Sequence, residues 1–238
     1  VPGVTEVDTP ASAEGALPRL SLAPDGTPLL SWSEPDGDGH ALRFALWEGS
    51  TWGPAQTAAS GMDWFVNWAD TPGVLALDGG RFLAHWLPMH PDGDSPYAYD
   101  TAASLGDGSD WTQPALLHDD GKAAEHGFVS VARMDGGPGL VWLDGRNQAG
   151  GDHGHGAGAM TLRFATLDAS GTPTDGTVLD DRTCDCCPTA MTVAASGPVV
   201  AYRDRTEDEI RDIAVVRRVD GTWTEPIVPH ADGWYIEG

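Results

Sequence analysis

The chain has 238 residues and a formal net charge of −23, with 36 Asp and Glu against 13 Lys and Arg. A surface this acidic cannot displace the counterions of a nucleic acid and is repelled by anionic membranes, which argues against both as partners. No window holds the roughly 20 apolar residues of a membrane-spanning helix or keeps helical spacing, so a nearly all-β chain with no direct membrane insertion is expected.

The start, Val1-Pro2-Gly3-Val4, has neither an initiator Met nor a signal segment, and a processed, periplasmic or secreted protein is the simplest expectation. The first predicted strand covers 18–22 and is closed by the Asp25-Gly26 turn. The second (29–32) ends in Trp32, and after a polar loop come a third (42–47) and a fourth (55–59). The same grammar returns from residue 72, with runs at 83–86, 97–103 and 115–118. It returns again from residue 128, with runs at 139–142, 162–167 and 177–179, and from residue 190, with runs at 199–202, 213–216 and 227–230. Trp32, Trp86, Trp142 and Tyr202 fall 54, 56 and 60 residues apart, a period that belongs to blades or solenoid units. Four short strands per unit make one antiparallel sheet, and such sheets in series pack face to face as a β-propeller. Four blades are predicted, at about 15–60, 70–119, 126–180 and 187–230, in one domain over 1–238. The linker at 231–234 reads as a crossing to a further blade, so the expectation is part of a larger ring.

Ser104, Asp107, Gly108 and Trp111, with shortened versions at 48–54 and 220–226, resemble the Ser-x-Asp-x-Gly-x-Thr-Trp turn of the sialidase-like, Asp-box propellers. The resemblance implies a six-bladed ring and places this turn at the base of each blade. There its Asp caps backbone amides and its Trp fills an apolar notch, a structural role. Sialidases of this family hold a substrate carboxylate with three Arg, attack through a Tyr assisted by Glu, and protonate with an Asp. The stretch matching their first Arg motif is Gly15-Ala16-Leu17-Pro18, with Arg19 only after the Pro. The family's Tyr comes from blades outside this chain, so Tyr97, Tyr99 and Tyr202 receive no role as nucleophile.

In a four-stranded blade, the linker into strand one and the loop between strands two and three open on the same face. Sorting residues by that rule puts the chemistry on one side. Asp63, Asp70, Trp68, Glu125, His126, Cys184, Cys186 and Cys187 lie on linkers or at their ends, and Arg146, His153 and His155 on second-to-third loops. Arg43, Arg163 and Arg211 stand where third strands leave that face, and guanidinium forks suit a carboxylate ligand. A ligand-binding funnel is therefore expected from Arg43, Arg163, Arg211, Arg146, Trp68, Glu125 and His126, with Asp63 and Asp70 as candidate catalytic carboxyls. All three cysteines fall within four residues, in Thr183-Cys184-Asp185-Cys186-Cys187-Pro188. With His153 and His155 they would suit copper or zinc, and a Cys184 to Cys187 disulfide is the competing expectation. Two functions stay open. One is an exported non-catalytic propeller binding a partner protein, glycan or metal on the loop face, alone or as a subunit of a larger complex. The other is a sialidase-type exo-glycosidase removing a terminal acidic sugar.

Overall fold

A computed structural model describes residues 3–148, 158–174 and 176–237. Sixteen strands among them form four antiparallel four-stranded sheets, each pairing its strands in chain order. Blade I is β1 (Ala16–Leu22), β2 (Pro28–Asp36), β3 (Gly39–Leu46) and β4 (Gln56–Gly61). Blade II is β5 (Gly73–Ala76), β6 (Phe82–Trp86), β7 (Ala102–Gly106) and β8 (Ala115–Leu116). Blade III is β9 (His126–Ala132), β10 (Gly139–Asp144), β11 (Met160–Thr166) and β12 (Thr177–Thr183). Blade IV is β13 (Ala190–Ala194), β14 (Gly197–Arg203), β15 (Ile213–Val219) and β16 (Thr222–Trp223). The array is propeller-like, and no helix among the described residues is long and apolar enough to cross a membrane.

Side chains alternate across each sheet, and the apolar ones meet in the seams between neighbours. Leu29, Leu42 and Phe44 of blade I pack on Val74, Phe82 and Trp86 of blade II. Leu83 and Leu105 meet Leu140 and Trp142 across the second seam, and Val141, Leu162 and Phe164 meet Val200, Tyr202 and Val216 across the third. Strands of blades II and III are thus covered on both faces, which explains why β6 and β10 are buried along their whole length. The outward faces of blades I and IV keep apolar groups in solvent, among them Leu20, 71% exposed, and Ile213 and Ile227.

The seams also hold a repeated polar device. Trp32 Nε1 donates to Glu34 at 3.0 Å, and Trp142 Nε1 donates to Asp144 at 3.0 Å, each pair two residues apart and so on one face of its strand. Directly across the ladder from the two tryptophans lie Arg43 and Arg163. The inner strands of the same two blades share a bulge, with Leu17 at φ 55° and Phe128 at φ 54°, a backbone region that bulky residues rarely occupy.

Two predicted strands shift. The third of blade II runs over Ala102–Gly106 instead of 97–103, because residues 97–101 leave the ladder to bridge to the next linker, Tyr99 pairing with Glu125. The fourth of blade IV is the short Thr222–Trp223, and Ile227 only resumes pairing with Val215. At the opposite end of the blades, Asp107 accepts the amides of Ser109 and Asp110, both at 2.9 Å, and Trp111 meets Phe44 edge-on. Gly108 makes that turn at φ 97°, where a Cβ would lie 2.4 Å from Gln56. Gly108→Ala is therefore expected to cost about 1–2 kcal/mol, read from the denaturant midpoint.

Candidate active site

The chemistry-bearing loops enclose a cavity of about 680 Å³. Its walls come from the blade I to II linker (Phe65, Trp68, Asp70), the second-to-third loop of blade II (Tyr97, Tyr99), Glu125 before β9, and Asp185, Cys186 and Arg211 at blade IV. Every one of these segments belongs to the face that topology singled out. Phe65 stacks on Tyr99 with ring centroids 4.0 Å apart, while Trp68 is 86% exposed. An exposed indole beside stacked aromatic rings is a surface on which the flat face of a sugar can lie.

The centre of the wall is a hydroxyl between two carboxylates. Tyr99 Oη lies 2.9 Å from Asp70 Oδ2 and 2.9 Å from Glu125 Oε1. A phenol has one proton to donate, so two acceptors at this distance require one carboxyl to be protonated. Burial supplies that proton: it pushes Asp70 up to about 6 and Glu125 up to about 7, with Asp70's charge adding to the shift at Glu125. Asp70 sits deepest, taking the Phe128 amide at 2.7 Å and facing the partly buried Arg19, and so holds the strained start of β9 in place. Arg19 itself donates to the Thr71 carbonyl at 3.2 Å and meets the imidazole of His85, which burial keeps neutral. Tyr99 is fully buried, whereas Glu125 reaches the cavity.

Across the cavity Arg211, 4% exposed, donates to Glu209 at 2.9 Å and faces Asp185 Oδ1 at 3.6 Å. Arg205 binds Glu209 at 2.9 Å, so the 203–209 charge run pairs within itself while steadying Arg211. The three thiols gather beside this guanidinium. Cys184 Sγ is 3.2 Å from Cys187, 3.7 Å from Cys186 and 3.5 Å from Arg211 Nη1, and all three cysteines are free. Hydrogen bonding from Cys187, then from the Cys186 amide and Arg211, brings the Cys184 thiol down to about 5 against the opposing effect of burial. His153 and His155 lie outside the described residues.

Several expected site residues are elsewhere. Asp63 is exposed and uses its backbone carbonyl to hold Met89, so the carboxyl pair is Asp70 with Glu125 and not Asp63 with Asp70. Arg43 binds Glu34 at 2.9 Å, and Arg163 lies 3.6 Å from Asp144, each opposite its Trp in the ladder. Of the three strand-start arginines only Arg211 reaches this cavity, while Arg163 lines another, of about 300 Å³, together with Arg146 and His118. His126 and Arg146 belong to a second cluster in the seam of blades II and III. His126 stacks on His118 at 3.6 Å between Asp100, Asp120 and Asp144, and Arg146 spans Asp144 at 2.6 Å and Asp120 at 3.2 Å. Within that cluster Asp100 Oδ1 and both ring nitrogens of His118 are buried without a hydrogen-bond partner. Sequence reasoning missed Asp100, His118 and Asp120 there, and left Tyr99 without a role.

No protein-family model matches the chain, and no curated protein matches it. Solved structures do. An α-L-arabinanase from Penicillium chrysogenum complexed with arabinobiose aligns at TM-score 0.57 and 14% identity over 88% of this chain and 64% of that one. A neuraminidase-like protein from A/bat/Guatemala/164/2009 aligns at 0.55 and 9% over 88% and 55%, and a thermostable family-43 glycoside hydrolase at 0.52 and 10% over 92% and 76%. The chain thus spans less than two thirds of the length of the first two. At these identities the likeness is one of fold.

Proposed function

We propose that the chain carries the active-site face of a glycosidase, in which Glu125 donates a proton to the oxygen of a glycosidic bond held in the loop-face cavity. The observation that carries this is the Asp70, Tyr99, Glu125 bridge: a carboxyl at the cavity surface, backed by a buried hydroxyl and a buried carboxyl, with burial raising its pKa to about 7. A general acid must be protonated at the working pH, and a carboxyl raised into the neutral range meets that need. Asp70 and Tyr99 are positioning residues that act through Glu125. Asp185, faced by Arg211 and Arg205, is the second carboxylate, on the opposite wall, where it would steady developing positive charge on the sugar or direct a water.

Among the described residues Arg43 and Arg163 lie outside this cavity and Arg211 lines it without them, so a neutral sugar suits it better than a sialic acid. The missing arginine motif, which favours a purely non-catalytic module, becomes on this reading a matter of substrate. The exposed apolar faces at Leu20 and Ile213 support a ring with further blades beyond these four.

The test is hydrolysis of a panel of aryl glycosides, including α-L-arabinofuranoside, β-xyloside and sialoside. Glu125→Gln is expected to lower kcat/KM by about 10²–10⁴-fold on the substrate that is turned over. Tyr99→Phe should instead move the basic limb of the pH profile while leaving KM nearly unchanged. Full activity in Glu125→Gln would end the proposal, as would a folded chain that neither binds nor cleaves any member of the panel.

A further inference from the structure

We propose that Cys184, Cys186 and Cys187 form a three-thiolate site for a thiophilic closed-shell ion, copper(I) or zinc, in the wall of the cavity. Its carrying observation is convergence. The three cysteines of the chain bring their sulfurs to 3.2, 3.7 and 4.0 Å of one another, and their three sulfurs form a group in which one ion could sit. A disulfide needs two sulfurs and leaves the third free to point anywhere. An ion about 2.3 Å from each of three sulfurs holds them about 4 Å apart in a triangle, close to the separations here.

The backbone fixes this arrangement independently of any ion. Thr183 donates its hydroxyl to the Met160 carbonyl, the Cys184 amide binds the Arg203 carbonyl at 3.0 Å, and Pro188 limits the chain just beyond Cys187. Cys184 is buried at the base, Cys187 half-buried, and Cys186 exposed at the cavity, which leaves a path for an ion to enter. Arg211 completes the site from outside. Its guanidinium is almost wholly buried, and beside Cys184 it offsets the excess negative charge that three thiolates keep after binding one ion. Soft thiolates select copper(I) or zinc over harder cations. Three-coordination suits copper(I), while zinc would take a fourth ligand such as water from the cavity.

The experiment titrates the reduced chain, without oxygen, with copper(I) and separately with zinc, each against a chromophoric competing chelator. Thiol accessibility is followed by alkylation and mass spectrometry. The expected result is one ion per chain with all three thiols protected. Cys184→Ser should weaken binding by more than about 100-fold, beyond the loss typical of changes around a site. The exposed Cys186→Ser, which disturbs no core, should do the same with an unchanged circular dichroism spectrum and so guards against misfolding of the first variant. Copper retained in preference to zinc assigns the trigonal form, and the reverse assigns the water-completed form; either supports the site. Equal binding in Cys186→Ser overturns it, and so does a Cys184 to Cys187 cross-linked peptide in chain purified without reductant that holds no ion once reduced. None of these readouts depends on glycosidase activity.

Discussion

Asp70→Ala is expected to lower the unfolding free energy by about 3–5 kcal/mol in urea denaturation, the range for stripping one partner from a buried charged network. The methyl group would leave the Phe128 amide without its acceptor, the Tyr99 hydroxyl with Glu125 alone and Arg19 without its counter-charge. Phe128 is also held in a left-handed backbone that has no intrinsic appeal for it, so the start of β9 should relax once its amide is released. Asp70→Asn keeps an acceptor of the same shape and should cost much less, and it removes the titration. The direction of the pH effect follows from the raised carboxyl. Burial stabilises the protonated form, so Asp70's contribution is complete below pH 4, the unfolded range, and is lost as pH rises through about 6. Relative to the asparagine variant, the wild-type chain should therefore lose on the order of 3 kcal/mol between about pH 4 and 7, at 1.4 kcal/mol per unit. Cys184 moves the other way over part of this window, but it is common to both chains and drops out of the difference. A flat difference would mean that Asp70 is ionised throughout and that Glu125 alone supplies the bridging proton.

Trp142→Ala should be comparably damaging, at about 3–5 kcal/mol, because the indole is wholly buried in the seam between blades II and III. Leu83, Leu105 and Leu140 surround it, and Gly176 leaves room for its far edge, where a Cβ would come within 3.1 Å of the ring. The sheets on either side are each bound to another neighbour and cannot close the gap by sliding together. Its Nε1 proton also steadies Asp144, which burial would otherwise destabilise as a charge and which would then rest on Arg146, Arg163 and His126. Trp142→Phe, which keeps one ring's volume and loses the other together with the N–H, should cost less than the alanine. A cost below about 1 kcal/mol for the alanine would show that the seam repacks, contrary to the density expected of a protein interior.

The repeat period and the paired apolar runs were enough to recover four sheets, their order and the face on which the loop cavity lies, because those properties depend on alternation and turn residues within each unit. The carboxyl bridge was not legible. Tyr99 and Glu125 belong to neighbouring blades and meet only because residues 97–101 abandon the ladder, and no local pattern announces that. The arginines failed in a more instructive way. Arg43, Arg163 and Arg211 all stand at third-strand entrances, but register places Arg43 and Arg163 opposite Trp32 and Trp142, while Tyr202 faces Ala214. The signal was present: Trp32-x-Glu34 and Trp142-x-Asp144 put an acid on the same strand face as the indole, and an arginine across the ladder completes that set. Blade IV lacks the partner arginine, and Arg211 remains available to the cavity.

The sharing of each apolar cluster between two sheets determines where the molecule can come apart. No single blade owns a complete core, so stability accumulates as neighbour contributions, two for each middle sheet and one for each outer sheet of this chain. Openings that precede global unfolding should thus begin in the flanking sheets and spare the middle pair longest. Asp70, Tyr99 and Glu125 are carried by segments anchored in that middle pair, whereas the cysteines lie where it joins blade IV. The carboxyl bridge is consequently housed in the slowest-breathing part of the fold, and the thiols in a part that can exchange with its surroundings while the carboxyl pair stays shut.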